Sequence, residues 1–287
     1  MKYQFMQQYG SGFAVVKMCQ VFGVSRSGYY AYLRRGFSPR YEENQRLVRM
    51  IKDIWQKYRR VYGSPRVTAE LHAQGVRCGK NRIARLMREN GIKVCPKKGY
   101  KVTTQSNHSF PLAEDLVRRD FSADSENQLW LSDITYLWTW EGWLYLAAIM
   151  DVYNREIIGW TLGKRLTKDL VLTALQNALI KRNPRSGLIF HSDRGSQYAC
   201  LKVRNKLNAR GIRQSMSGKG NCYDNAMMES FFSSLKKELV HKETFHSTDK
   251  AKYFVYDYIE IFYNRQRRHS SLNYKTPVEY AMEVSHP

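Results

Sequence analysis

Acid is scarce in this chain. Twenty-five Asp and Glu stand against 47 Lys and Arg in 287 residues, a formal charge of +22. That excess favours a polyanionic ligand, because each phosphate neutralised by Lys or Arg releases condensed counterions; it points to nucleic acid more than to a membrane surface, with a merely solubilising charge as the alternative. Long apolar runs are also missing. The longest, Trp143 to Met150, has eight residues, far below the roughly 20 that a helix needs to span a bilayer. Cys19, Cys78, Cys95, Cys200 and Cys222 form no C-x-x-C pair, which argues against a disulfide framework. His72, Cys78, Cys95 and His108 match no usual zinc spacing either. The opening MKYQFMQQYG has no apolar h-region and no small-residue cleavage site, so a cytoplasmic location is expected. Neither an internal repeat nor a leucine heptad is visible, and self-association through a coiled coil within the chain is not expected. What the chain does have is core material: 43% of its residues are hydrophobic and 13% aromatic.

The charge is unevenly spread. Residues 1–120 carry a net +16 and residues 121–287 a net +6. Two stretches in the first part read as helix, short turn, helix. In VVKMCQVFGVSRSGYYAYLRR, Val16 to Phe22 forms a short helix, Gly23 permits the turn, and Ser25 caps a helix bearing Tyr29, Tyr30 and Leu33. In SPRVTAELHAQGVRCGKNRIARLMREN, Pro65 suits a first helical turn and Gly75 a stop. The last helix of that stretch puts Ile83, Leu86 and Met87 on one face and Arg82, Arg85 and Arg88 on the other. A DNA-reading helix explains that partition, and so does an ordinary exposed helix. The expected division is a helix-turn-helix-like segment over 1–40, a second helix-turn-helix-like DNA-binding domain over 41–98, a linker over 99–121 and a core over 122–287 with a C-terminal helical extension.

After the linker the pattern changes to strands. Trp130 to Trp140, Trp143 to Met150 and Glu156 to Leu162 are rich in β-branched and aromatic residues and are separated by turn residues, which predicts an antiparallel meander. An amphipathic helix capped by Thr167 follows, with Leu170, Leu172, Leu175 and Leu179 free to pack on the sheet, and then a short buried strand, GLIFH. Further helices are expected over Tyr198 to Ala209, Asn225 to Val240 and Asp249 to Asn264. The fold class is α/β, a mixed sheet flanked by helices, preceded by an all-α region.

Three acids stand out. Asp133 lies mid-strand among hydrophobes, where an unpaired carboxylate is costly. Asp193 ends the strand GLIFHSD, the place where open α/β sheets present ligand sites. Glu229 shares a helix face with Phe232, Ser233 and Lys236. One reading has the three converge on divalent ions, for which hard oxygen donors suit Mg²⁺ or Mn²⁺, to drive an in-line displacement at phosphorus. The other makes Asp133 part of a bulge, Asp193 a helix cap and Glu229 a surface acid.

The spacing is the pattern of a known group. Asp133 and Asp193 are separated by 59 residues, Asp193 and Glu229 by 35, and Lys236 follows Glu229 by seven. This resembles the D, D(35)E pattern of the retroviral-integrase superfamily. WLSDITY, DVYNREIIGW, HSDRGSQY, GNCYDNAMMESFFSSLKKE and YNRQRRHSSLNYKTPVEY together resemble the integrase-like transposases of the bacterial insertion-sequence-three family, specifically the downstream reading-frame product. MCQVFGVSRSGYY and YGSPRV extend the likeness over nearly the whole chain.

The resemblance implies a ribonuclease-H-like core with Asp133, Asp193 and Glu229 as metal ligands for two Mg²⁺ or Mn²⁺ ions. It also implies cleavage at an element end and attack of the freed 3′ hydroxyl on another phosphodiester. It further implies a bacterial, nucleoid-associated protein that oligomerises on DNA, with an upstream-frame protein or frameshift fusion as partner. A non-catalytic DNA-binding regulator that keeps the core as an assembly scaffold is the alternative, and a nuclease without strand transfer is a third reading.

Around the acids, Gly218-Lys219-Gly220-Asn221 suits a loop that closes over DNA, with Lys219 as a contact, or a simple turn. Asp224 reads as a helix cap and Asp151 as a turn acid. Lys236, two turns after Glu229, would face the substrate backbone, and Arg265, Arg267 and Arg268 with His269 either track a phosphate backbone or end a solvated helix. Tyr253, Phe254, Tyr256, Tyr258, Phe262 and Tyr263 read mainly as core, and His191 as no general base.

Overall fold

The computed structural model describes residues 2–10, 12–35, 38–94, 112–118, 120–218 and 225–284. The first helices are α1 (Lys2–Gln8), α2 (Val15–Phe22) and α3 (Arg26–Arg34). Gly23 takes the left-handed conformation, φ 60°, that ends α2, and the Ser25 side chain accepts the Gly28 N–H at 3.0 Å to start α3. Met6, Met18, Cys19 and Tyr29 close a small core of their own. Next come α4 (Pro39–Lys57), α5 (Ser64–Ala73) and α6 (Lys80–Glu89), with Pro39 and Pro65 in first turns, where a missing N–H costs nothing. Leu47, Ile51 and Ile54 on α4 pack with Leu71, Ile83 and Leu86. Most of the expected linker lies outside the described residues.

The α/β part holds a five-stranded mixed sheet in the order β3-β2-β1-β4-β5. Strands β1 (Leu129–Thr139), β2 (Gly142–Asp151) and β3 (Ile157–Gly163) form the antiparallel meander. β4 (Ile189–Ser192) runs parallel to β1, and β5 (Arg213–Met216) parallel to β4. β5 was not anticipated: RQSM is short and polar, without alternation to announce a strand.

Helix α7 (Lys168–Arg182) covers one sheet face and buries Leu170, Leu175 and Leu179. Thr167 is its N-cap by position, but its side chain makes no capping bond. Contact with β3 is close, since a Cβ on Gly159 would lie 2.4 Å from the Ala174 carbonyl oxygen. The single helix expected over Tyr198 to Ala209 is two, α8 (Ser196–Ala199) and α9 (Leu201–Asn208), separated where Cys200 turns extended.

On the opposite face lies α10 (Ala226–Leu235), continued by a π-helical turn, Lys236–Val240. Then come α11 (Thr248–Tyr256), a second π-helical stretch over Asp257–Tyr263, and α12 (Pro277–Val284). Tyr258, Phe262 and Tyr263 are buried as expected, while Tyr253 and Tyr256 are exposed.

The helical region over α4–α6 shares its apolar core with this face. Polar ties reinforce the contact. The Tyr62 hydroxyl donates to the Gln266 carbonyl at 2.9 Å and accepts the Arg268 N–H at 2.8 Å. Arg66 Nε donates to the Arg268 carbonyl at 2.9 Å, and Arg59 pairs with Asp257 at 2.8 Å. Among the described residues no helix is long and apolar enough to cross a membrane.

Candidate active site

Strand register brings the first two acids together. β1 and β4 are parallel with Ser132 opposite Ser192, so Asp133 and Asp193 are the next residues of adjacent strands, which lie about 4.8 Å apart in any sheet. β4 ends there, and the Asp193 carboxylate accepts the Gly195 N–H at 2.9 Å at the entry to α8. Its cap-like turn and its place at the strand end thus coexist.

Glu229 comes from α10, which packs across β1 because Met228, Phe231, Phe232 and Leu235 are buried against the sheet. Lys236 begins the π-helical turn. Its Nζ sits 4.8 Å from the centre of the Tyr136 ring.

The electrostatics record the convergence. Asp133 is half-buried, and its carboxyl is pushed up to about 8. Desolvation is the largest cause and the Asp193 carboxylate the next, with Glu229 adding to it. The Ile134 N–H, donating to Asp133 Oδ1 at 2.7 Å, and Lys236 pull the other way. Lys236 is itself held below the usual lysine range by burial, with Asp133 opposing. Among the described residues no three His, Cys, Asp or Glu side chains form a ready-made metal cage. The donor chemistry nonetheless fits a hard divalent cation: Asp133 is repelled by both Asp193 and Glu229, and such an ion relieves that repulsion. Lys219 and Asp224, in the segment preceding α10, lie outside the described residues.

Other expected site residues fall elsewhere. Asp151 is fully buried at the end of β2, accepting N–H bonds from Asn127 (2.9 Å) and Tyr153 (3.1 Å), which is a turn role. His191 is buried with Nδ1 2.9 Å from the Ser215 hydroxyl. Arg82 spends its guanidinium on Glu43 (2.8 and 3.0 Å) and Asn44, tying α6 to α4. Arg85 lies 3.8 Å from Glu89, and Arg88 is exposed.

The basic cluster after the aromatic helix divides. Arg265 is exposed. Arg267, by contrast, is 5% exposed and donates from Nε and Nη2 to Glu238 at 2.8–3.1 Å and from Nη2 to Ser234 at 3.0 Å. Arg268 Nε donates to Glu70 at 2.7 Å. The solvent-facing phosphate contact expected of Arg267 and Arg268 is therefore corrected. Arg267 is spent on the largely enclosed Glu238, and Arg268 on the buried Glu70 and the Tyr274 carbonyl, partners that the sequence does not announce, and they hold helices together.

Two features escaped the sequence reading. Trp138, Trp140 and Trp143 are about half exposed or more and, with Tyr136, Lys236 and His241, line a cleft of about 480 Å³. Arg66 and Arg155 meet in a second cleft behind α10. No local pattern signals either, since both are assembled from distant segments.

Comparison with known proteins gives the class. Residues 123–222 and 210–277 match two family models, each described as an integrase core domain, and residues 42–100 match an HTH-like domain. The sheet and the helical region thus define an integrase-core protein with an HTH-like domain. The chain is 46% identical over 263 residues to the insertion element IS600 uncharacterized 31 kDa protein of Shigella sonnei, covering 92% of this chain and 97% of that one. It is 39% identical over 282 residues to the transposase InsF for insertion sequence IS3A of Escherichia coli (strain K12), covering 98% of each. The chain belongs to the transposase family of IS3-type insertion sequences. Among solved structures, a chain of the simian T-cell lymphotropic virus intasome is similar with a TM-score of 0.49 at 15% identity, over 78% of this chain and 76% of that one. The HTLV-2 integrase catalytic core in complex with magnesium gives 0.44 at 13% identity, over 56% and 99%.

Proposed function

We propose that this chain is a DNA-cutting and DNA-joining enzyme, a DDE-type transposase, in which Asp133, Asp193 and Glu229 hold Mg²⁺ or Mn²⁺. The observation that supports the reading is that Asp193, at the end of β4, and Glu229, on α10, both act electrostatically on Asp133 of β1. Asp133 and Asp193 are set by strand register, and Glu229 by the packing of α10. When bound, such ions activate an attacking oxygen and stabilise the leaving one in displacement at phosphorus. The chain supplies the rest. The rigid sheet fixes two of the acids, and the apolar underside of α10 fixes the third. Lys236 places a cation within electrostatic reach of Asp133, where it would meet a DNA phosphate. The family and the HTH-like domain support DNA as the substrate, with Arg85, Arg88 and Arg265 as exposed or half-exposed cations for the backbone and Lys219 as a further contact. Assembly of several copies on DNA, with an upstream-frame partner, belongs to the same reading, as do the domain limits of 41–98 and 122–287.

The test is gel-resolved cleavage and joining of labelled DNA carrying the element's own ends, with Mg²⁺ or Mn²⁺. Wild type is compared with Asp133→Asn, Asp193→Asn and Glu229→Gln, with binding recorded in parallel. The expected outcome is that wild type cuts and joins, that all three variants lose both steps, and that all four proteins bind. Binding by wild type without cutting or joining, even with the upstream-frame protein added, would instead make the chain a regulator.

A further inference from the structure

Behind α10, on the side away from Glu229, lies a cleft of about 200 Å³. It is built from four separate parts of the chain. Arg66 comes from α5, Arg155 from the turn between β2 and β3, Ser230 from α10, and Arg267, His269 and Ser270 from the segment after the second π-helical stretch. Among the described residues no carboxylate lines it.

The charge of the cleft does not balance. Glu238, which neutralises Arg267, lies 3.9 Å from Arg66 and serves both. Arg155 has no ion pair among the described residues, and its positive field reaches both Tyr263 and His269. His269 is held well below its usual range by burial first and then by Arg267, Arg66 and Arg155, so at neutral pH it adds no charge of its own. Two guanidiniums thus share one carboxylate, and the third, on the half-exposed Arg155, adds a positive charge to the same cleft without a carboxylate of its own among the described residues. Hydroxyls stand at the opening, since Ser230 and Ser270 are exposed. Arginine forks and hydroxyls around a small polar cleft are the donor set of a tetrahedral oxyanion.

We propose that this cleft is a phosphate-binding site, with Arg155 as its uncommitted cation and Arg66, Ser230 and Ser270 as further donors, and that its ligand is a phosphate of the DNA backbone. The DNA part rests on the function proposed above, whereas phosphate binding does not. A phosphodiester seated there joins α5 of the HTH-like region to the helix that carries Glu229. DNA engaged by the helical region would then brace the helix on which the third acid depends.

Arg155 sits at φ 60°, so Asn, which tolerates the left-handed region, is the appropriate replacement. Arg155→Asn and Arg155→Lys are compared with wild type in two assays on the full chain. The first is the melting temperature with inorganic phosphate at an ionic strength held constant with chloride. The second is duplex binding as a function of salt. The expected result is a saturable rise in wild-type melting temperature that Arg155→Asn loses and Arg155→Lys keeps in part, with equal melting temperatures in chloride alone. In the second assay Arg155→Asn should weaken binding and lower the slope of log affinity against log salt by about 1, the value of one phosphate contact. A phosphate effect with an unchanged slope would keep the site but assign it to a free phosphate compound. Absence of DNA binding in wild type would overturn the DNA reading and leave the melting assay to decide the site. No phosphate-specific stabilisation together with an unchanged slope would overturn the proposal.

Discussion

Replacing Arg267 by Ala should damage the fold before it touches DNA binding. Arg267 makes three bonds to Glu238, at 2.8, 2.8 and 3.1 Å, and one to Ser234 at 3.0 Å. Its removal leaves Glu238 with the Tyr258 hydroxyl at 2.8 Å and Arg66 at 3.9 Å. Burial raises the Glu238 carboxyl, and Arg267, with lesser help from Arg66 and Tyr258, holds the group below the usual glutamate range. Breaking one side of such a buried pair costs about 3–5 kcal/mol. For a domain of this size that corresponds to a fall of roughly 6–20 °C in melting temperature, at about 2–4 °C per kcal/mol. Thermal unfolding followed by far-ultraviolet circular dichroism reads it. Arg265→Ala is the internal control, because the exposed neighbour should change stability by no more than about 0.5 kcal/mol. Arg267→Met combined with Glu238→Gln should be less damaging than the two single changes added together, since removing both charges leaves neither stranded. An Arg267→Ala protein that melts with wild type while binding DNA more weakly would refute the reasoning and return Arg267 to a phosphate contact.

Two further outcomes follow from packing and titration. Burial lifts Asp151 from the ordinary aspartate value of 3.8 to about 6, against the pull of the Asn127 and Tyr153 N–H groups. The folded state therefore prefers the protonated acid, and wild-type stability falls as pH rises from about 4 to about 6. Measured by urea unfolding, Asp151→Asn should gain up to about 3 kcal/mol relative to wild type between pH 4 and pH 7, whatever the offset at low pH; a pH-independent difference would contradict this. Gly159→Ala forces a methyl group to 2.4 Å from the Ala174 carbonyl and 2.7 Å from Ala178. It should cost about 1–3 kcal/mol in the same assay by prising α7 from β3, and a neutral result would show that the two elements separate freely.

Local chemistry carried much of this protein in plain view. Gly23 and Ser25 announce a turn and a cap because left-handed backbone and an N-capping hydroxyl are properties of single residues. The meander over β1 to β3 is visible because alternation and turn residues are short-range. Asp133 is conspicuous for the same reason: a carboxylate amid strand hydrophobes demands a partner wherever the chain folds. Only the tertiary structure decided who the partners are. Register alone set Asp133 beside Asp193, and α10 packing alone brought Glu229 near. In the run Arg265-Gln266-Arg267-Arg268, the sequence offers three equivalent cations. The fold exposes the first, buries the second on Glu238 29 residues away and ties the third to Glu70 198 residues away. Burial and ion pairing are set by segments that meet only after folding, and so a run of like residues becomes one surface charge and two internal braces.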